Sequence, residues 1–426
     1  MRAQCMKART ATVLEVDQDV QAARNATRGI LAAASNLSVA DPADLRARID
    51  KVVAIAAAHA DAVDCQSRFP QEALAAIRAE KLLGIAVPRE FGGEGRSTAE
   101  VADVCYALGR ACASTAMIYA MHQTKVACIV RHGQTSSWHQ QLMRRIAGGQ
   151  LLLASSTTEG QNGGDIRNSS APVERDGARI RLERQATVIS YGQAADGIVT
   201  TARRAADAAS SDQVLVVLLK QDYTLAPVSG WDAFGMRGTC SEGFKLVADA
   251  ASEQVLPIGY DKIHAQTMMP VAHLMWSSAW AGIAAAAVSR ARDFVRKAAH
   301  RAGGTLPPAA AHLTRASASL RSLRSLIAMS LQRFEAASAD PPALETLDFQ
   351  TGMNLLKVNA SELAVATVMS AMQTCGLAGY RNDGDFSIGR HLRDILSSPV
   401  MINNDRILAG AATASLLSGI PDSLLG

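Results

Sequence analysis

Three short segments place polar and flexible residues where the chain has to turn. In "SSTTEGQNGGDIR" (155–167) a strand-like run enters a polar loop. Gly163 and Gly164 free backbone amides there to face an anionic or carbonyl-bearing ligand, and Thr158 can donate a hydroxyl hydrogen bond. "VISYG" (188–192) ends a second strand-like run and offers Ser190. "FGMRGTCSEGF" (234–244) is turn-rich and leads into a third. Taken singly, each also fits an ordinary hairpin loop. For proton transfer near neutrality the candidates are His122 in "YAMHQ" and His273 in "MMPVAH". Either histidine reads equally as a hydrogen-bonded residue packed at a helix interface. Asp405, in "LSSPVMINNDRI" (396–407), is a candidate carboxylate, but it also suits the N-cap of the following helix.

These residues need a scaffold, and the chain of 426 residues shows three textures. A poorly periodic, Ala-rich extension covers 1–42. Helical spacing dominates 43–150, as in "PADLRARIDKVVAIAAAHADAVD", with Pro42 suited to a first turn and Pro88 followed by the glycine loop "EFGGEG". Across 151–256 short apolar or alternating runs such as "RIRLERQATVIS" and "DQVLVVLL" are divided by Gly, Asp and Ser, which predicts an antiparallel β domain. From 257 to 426 long helices return. Helices, then strands, then helices predict an α+β fold, with a β domain between an N-terminal helical domain and a C-terminal helical bundle.

Composition narrows the function classes. The net charge of +4 is spread along the chain without basic clusters interleaved with aromatics, so no nucleic-acid partner is expected. No uninterrupted apolar run approaches the roughly 18 residues of a membrane span, and Glu15, Asp17 and Asp19 precede any signal-like apolar segment. No membrane association is expected. "HLMWSSAWAGIAAAAVSRARDF" reads as a buried helix. The cysteines at 5, 65, 105, 112, 128, 240 and 375 are odd in number, widely spaced and free of CxxC. Reduced thiols in a cytoplasmic protein, with no metal, are the expectation.

Taken together and in order, the motifs resemble the acyl-CoA dehydrogenase family of flavoproteins over roughly residues 45–415. "VPREFGGEG" (87–95), "TTEGQNGGD", "VISYG", "GMRGTCS", "QTCGLAGY" (373–380) and "RHLRD" (390–394) each resemble a family segment. The resemblance implies FAD held between the β domain and the C-terminal bundle. Thr158, Gly163 and Gly164 would meet the flavin or its phosphates, and Ser190 would sit beside flavin N5. Gln373 and Gly376 would contact the pyrophosphate region from a partner subunit, Arg301 falls near the family's phosphate-binding arginine, and Asn404 falls in the segment that usually starts a helix beside the flavin. A homodimer or homotetramer is therefore implied. The redox partner would be an electron-transfer flavoprotein or a flavin reductase.

Departures from the family pattern bear on the reaction. The flavin-covering tryptophan is Val188. The usual base, a glutamate eight residues after Asp394, is Ile402, and the alternative place for it is Ala272, followed by His273. The catalytic residue stays open between Asp405, His273, His122 and no base at all. "MMPVAH" also lacks the charged residues with which relatives engage CoA. The resemblance implies oxidation of an acyl thioester, CoA- or carrier-protein-bound, or of a related small molecule. The alternative is a two-component monooxygenase using reduced flavin and O2 on the same fold.

Overall fold

The computed structural model describes residues 42–159 and 168–417. Among the described residues the helices α1 (Pro42–Cys65), α2 (Gln71–Ala79), α3 (Thr98–Ala111), α4 (Ala113–His132) and α5 (Ser137–Gly149) come first. Helix α3 starts at a capping box, in which Ser97 Oγ accepts from the Glu100 amide at 3.2 Å and the Glu100 carboxylate accepts from the Ser97 amide at 2.9 Å. The unbroken helical texture of 98–133 is interrupted at Cys112, whose extended backbone (φ −145°) separates α3 from α4. Arg48–Gly426 form one compact unit, and Met1–Ala47, described only from Pro42, form another. The expected extension over 1–42 thus lies almost entirely outside the described residues.

Seven strands follow: β1 (Leu153–Ser156), β2 (Glu174–Asp176), β3 (Arg179–Ser190), β4 (Gly197–Arg203), β5 (Gln213–Leu219), β6 (Tyr223–Ser229) and β7 (Ser241–Ala251). They make two sheets, ordered β1-β4-β5 and β2-β3-β7-β6. All pairings are antiparallel except β1 with β4, which run parallel. Strand β3 alternates buried and exposed side chains, the signature of a sheet with one wet face, whereas every residue of β5 is buried. The sequence pattern misses β2 and β6. The first is three residues long and fully exposed, and the second carries Pro227 on an edge, where a missing donor does no harm.

The C-terminal part begins with α6 (Tyr260–Ile263), passes through a π-helical turn (His264–Met268) and continues as α7 (Met269–Arg301). Pro270 removes one backbone donor just where the widened turn ends. Helices α8 (Ala310–Ser338), α9 (Leu347–Cys375), α10 (Leu377–Tyr380), α11 (Gly389–Ile395) and α12 (Asn404–Leu417) complete the bundle. By length and mean composition alone, the helical segments 260–301 and 347–375 could cross a membrane, although polar residues interrupt their apolar runs. The apolar window within 260–301 is 83% buried inside the protein, which is how a core helix looks.

Helices α3 and α7 cross almost backbone to backbone. A Cβ on Gly109 would lie 2.3 Å from the Ala279 carbonyl oxygen, and one on Gly282 would lie 2.3 Å from that of Tyr106. Only glycine allows that approach. The helical and β parts share one core, in which Val126, Ile129 and Met143 pack with Leu153, Val199, Leu215, Val217 and Ile263. Each such side chain contributes about 1.5–3 kcal/mol on burial, so the strands beneath the site are held rigidly.

Candidate active site

A cavity of about 760 Å3 opens between the β sheets, α4, the π-helical turn, α7, α9 and the segment leading into α12. That volume falls within the roughly 300–1,000 Å3 of small-molecule sites. Thr158 and Ser190 both line it, as do Val188 and Ile402. The side chains of Val188 and Ser190 share a face through the two-residue alternation of the strand, and a bulge between Ala186 and Ile189 shifts this end of β3 against β7. Three residues with left-handed backbone stand around the site: Tyr191 (φ 45°), Met236 (φ 53°) and Ile402 (φ 49°). For non-glycine residues this is strain, which the surrounding structure must hold in place.

A relay of hydroxyls forms one wall. Ser190 Oγ is 2.8 Å from Ser241 Oγ, which is 2.7 Å from Thr239 Oγ1, and Thr239 Oγ1 is 2.8 Å from the Met236 carbonyl oxygen. A carbonyl only accepts, so the Thr239 proton points at Met236. Ser241 then donates to Thr239, and Ser190 donates to Ser241. The Ser190 oxygen therefore faces the cavity as an acceptor. The same "GMRGTCS" turn docks on α11, where the Met236 amide donates to buried Asp394 at 2.7 Å. Gly235 approaches the Arg393 carbonyl so closely that a Cβ would lie 2.0 Å from it.

Glu159 ties together the described residues that flank segment 160–167. Its carboxylate accepts from Ser169 Oγ at 2.7 Å and from the Ser170 amide at 2.8 Å, so it joins the two ends of segment 160–167. Buried Arg184 on β3 lies 3.3 Å from it. Burial opposes the Glu159 charge, but Arg184 and the two serines outweigh it and hold the carboxyl below its usual range. Gly163 and Gly164 themselves lie outside the described residues.

The histidines separate into two kinds. His122 Nδ1 accepts from the Leu153 amide at 3.0 Å, so Nε2 carries the proton and donates to the Leu83 carbonyl at 2.9 Å. Both nitrogens are spent joining α4 to β1 and to the turn after α2, and burial lowers the pKa to about 4. His122 is a structural bracket and not a base. His273, on α7, lines the cavity. Its Nδ1 lies 2.9 Å from the Met353 carbonyl, to which it must donate, and this leaves Nε2 as the unprotonated nitrogen. Burial, aided by neighbouring Lys357, keeps the ring neutral, with a pKa of about 3. Asp405 is neither base nor N-cap. It is exposed, it does not line the cavity, and its amide donates to Asn403 Oδ1 at 2.8 Å, so Asn403 caps α12.

Other expected site residues lie apart from the cavity. Asn404 is buried beneath it, where Oδ1 accepts from Lys357 Nζ at 2.7 Å and Nδ2 donates to Ser361 Oγ at 3.0 Å. Arg301, Gln373 and Gly376 are exposed and do not line it. Two buried lysines had escaped notice in the sequence, Lys125 in the cavity wall and Lys357 below it. In sequence a lysine on a helix reads as solvated, and nothing local marks these two as interior. Among the described residues the lining contains no Asp or Glu, and its ionisable groups are Lys125, His264, His273 and Arg406. The described residues hold no cluster of His, Cys, Asp and Glu that could bind a metal, and Cys65, Cys105, Cys112, Cys128, Cys240 and Cys375 are free thiols.

The polar edge at Thr158 and Ser190, against apolar walls of Val188, Met236 and Trp231, fits a flat heteroaromatic ring such as isoalloxazine. Known proteins place the chain. Residues 41–150 match the model of the acyl-CoA dehydrogenase N-terminal domain and 264–408 that of the C-terminal domain, together more than half of the chain. Cyclohex-1-ene-1-carbonyl-CoA dehydrogenase of Geobacter metallireducens is 29% identical over 196 residues, 46% of this chain and 51% of that protein. L-prolyl-[peptidyl-carrier protein] dehydrogenase of Pseudomonas fluorescens is 29% identical over 28% of this chain and 33% of its own length. The chain thus spans about half or less of the length of these curated relatives. The crystal structure of Paenibacillus TdsC in complex with FMN and indole shares the fold, with a TM-score of 0.77 at 16% identity over 88% of this chain and 98% of that one. With both terminal domains matched over more than half of its length, the chain belongs to the acyl-CoA dehydrogenase family and its cofactor is a flavin.

Proposed function

We propose that this chain is an FAD-dependent oxidoreductase that dehydrogenates an acyl thioester, carried on CoA or on a carrier protein, with His273 as the proton acceptor. The observation that carries this reading is the fixed tautomer of His273, a neutral ring in the cavity wall whose Nδ1–H is anchored on Met353 and whose Nε2 lone pair is unspent. A base held by a third group is the geometry that proton abstraction needs, whereas the pKa of about 3 in the ligand-free cavity opposes it and has to rise when substrate binds. Desaturation takes a proton from Cα and a hydride from Cβ. Bound flavin supplies the hydride-accepting ring. His273 Nε2 takes the proton, and the apolar lining of Met269, Ala272 and Trp276 keeps water from competing for it. Thr158 and Ser190 would hold the ring edge. The curated relatives that act on CoA-bound and carrier-bound substrates support either carrier.

Arg301, Gln373 and Gly376 fit this reading as donors to the cofactor of a neighbouring subunit in a homodimer or homotetramer. They are exposed, and Leu377 and Tyr380 beside them are 73% and 74% exposed. An electron-transfer flavoprotein would reoxidise the flavin.

Anaerobic mixing of the FAD-loaded protein with a panel of acyl-CoA and acyl-carrier thioesters should bleach the flavin without NAD(P)H. Replacing His273→Gln should slow bleaching by about 10²–10⁴-fold with little change in thioester binding. A flavin that stays oxidised across the panel ends this reading. A second reading then takes its place, a two-component monooxygenase fed by a flavin reductase. It draws on the polarity of the hydroxyl relay, since an acceptor at Ser190 suits a reduced ring that carries N–H at that edge. Its signature is incorporation of oxygen from 18O2 when the reduced protein meets substrate.

A further inference from the structure

Lys125 is the feature of the cavity that hydride transfer does not use. It sits on α4, is 4% exposed and lines the cavity. The partner its ammonium finds among the described residues is a thioether, Met268 Sδ at 2.9 Å, which is a weak acceptor. The cavity wall offers no carboxylate among the described residues, and its other ionisable groups, His264, His273 and Arg406, are neutral or cationic. Cys128, with which Lys125 interacts electrostatically, is held as a neutral thiol by burial. Its sulfur lies 4.0 Å from the same Met268 sulfur. The same cavity is lined by Met117, Met121, Met268 and Met269, side chains that would accept an apolar acyl tail without any charge at all. A leucine or methionine at 125 would serve such a tail better, because burying an ammonium without a counter-ion is costly.

We propose that Lys125 is a specificity-determining residue that pairs with a carboxylate at the far end of the substrate, so that the preferred substrate is the half-thioester of a dicarboxylic acid rather than a plain fatty acyl thioester. One ammonium balances one negative charge, which is the charge of a carboxylate at neutral pH. Pairing inside a water-poor cavity strengthens the bond and relieves the isolated cation in the same step. This inference rests on reading the cavity as an acyl-thioester site, as the proposed function does.

The test uses the FAD-loaded full chain and CoA thioesters of matched length, butanoyl to octanoyl against their ω-carboxyl counterparts, with free monocarboxylates and dicarboxylates of the same lengths as carrier-free probes. Binding is read from the flavin spectrum and from the thermal midpoint, independently of turnover. At one or more lengths the ω-carboxyl member should bind about tenfold or more tightly. Lys125→Met should reverse that preference, and Lys125→Arg should retain it. Three results overturn the proposal: no ω-carboxyl probe binds better than its neutral match, the preference survives in Lys125→Met, or Lys125→Met loses FAD affinity with unchanged thioester selectivity. The last outcome would assign the ammonium to the cofactor. If probes bind with the predicted selectivity but none bleaches the flavin, the dehydrogenase reading fails and the anion site stands.

Discussion

Two lysines are buried about equally in this protein, and they meet opposite surroundings. Lys357, on α9, is 0% exposed and donates to the Ile402 carbonyl at 2.8 Å and to Asn404 Oδ1 at 2.7 Å. Lys125 is 4% exposed and has a thioether for company. Burial pushes both down to about 8. The first ammonium is satisfied by oxygen and holds a loop in shape, pinning Ile402 in a left-handed conformation that its β-branched side chain resists. The second finds no oxygen acceptor among the described residues and sits in the wall of a cavity. An interior charge with protein acceptors is architecture, while one aimed at a cavity without them is reserved for a ligand.

The largest effect expected from breaking this contrast is at Lys357. Lys357→Met should cost about 2–4 kcal/mol, because two buried acceptors lose their donor. Chemical denaturation would register it, and an unchanged midpoint would remove Lys357 from its role as clamp. Lys125→Met should move the other way and stabilise the ligand-free protein by about 1–3 kcal/mol, since it deletes a buried charge that has no counter-ion among the described residues. The pH dependence has a definite sign. A lysine at 10.5 in the unfolded chain and at about 8 in the fold makes the unfolded state bind more protons between those values, so stability rises as pH rises through that window. Lys357 contributes with the same sign, so Lys125→Met should flatten the rise roughly by half. A pH series of denaturation curves for both variants would check it. The smallest effect is expected at Ile402. Ile402→Asn, a residue that tolerates the left-handed region, should gain at most about 1 kcal/mol, and a clear loss would mean that the strain is not real.

Much of the scaffold was readable without coordinates. The alternation in "RIRLERQATVIS" marks β3 over its full extent, Arg179–Ser190, and the apolar run of "DQVLVVLL" marks a strand buried on both faces. Thr158 and Ser190 became site candidates through the order of the motifs and the family resemblance, since each segment by itself also fits a hairpin loop, and both line the cavity. Less was readable where the answer depended on a distant element. The two histidines carry the same local signal, helical context with apolar neighbours. His122 is spent because β1 and the turn after α2 close over both of its nitrogens, whereas His273 has one nitrogen anchored by α9 and the other left over. Asp405 looked like a cap until the backbone placed Asn403 one step ahead of it.

From its sequence alone, then, this protein determined the order of helical, sheet and helical parts and the turns that gather polar groups. Periodicity and turn chemistry are local properties, and they survive without knowledge of what packs against what. Only the tertiary structure decided which ionisable groups ended up inside and with whom. Burial and hydrogen-bond partners belong to pairs of elements far apart in the chain, such as Lys125 with Met268 or Lys357 with Ile402, and no single stretch of residues contains them.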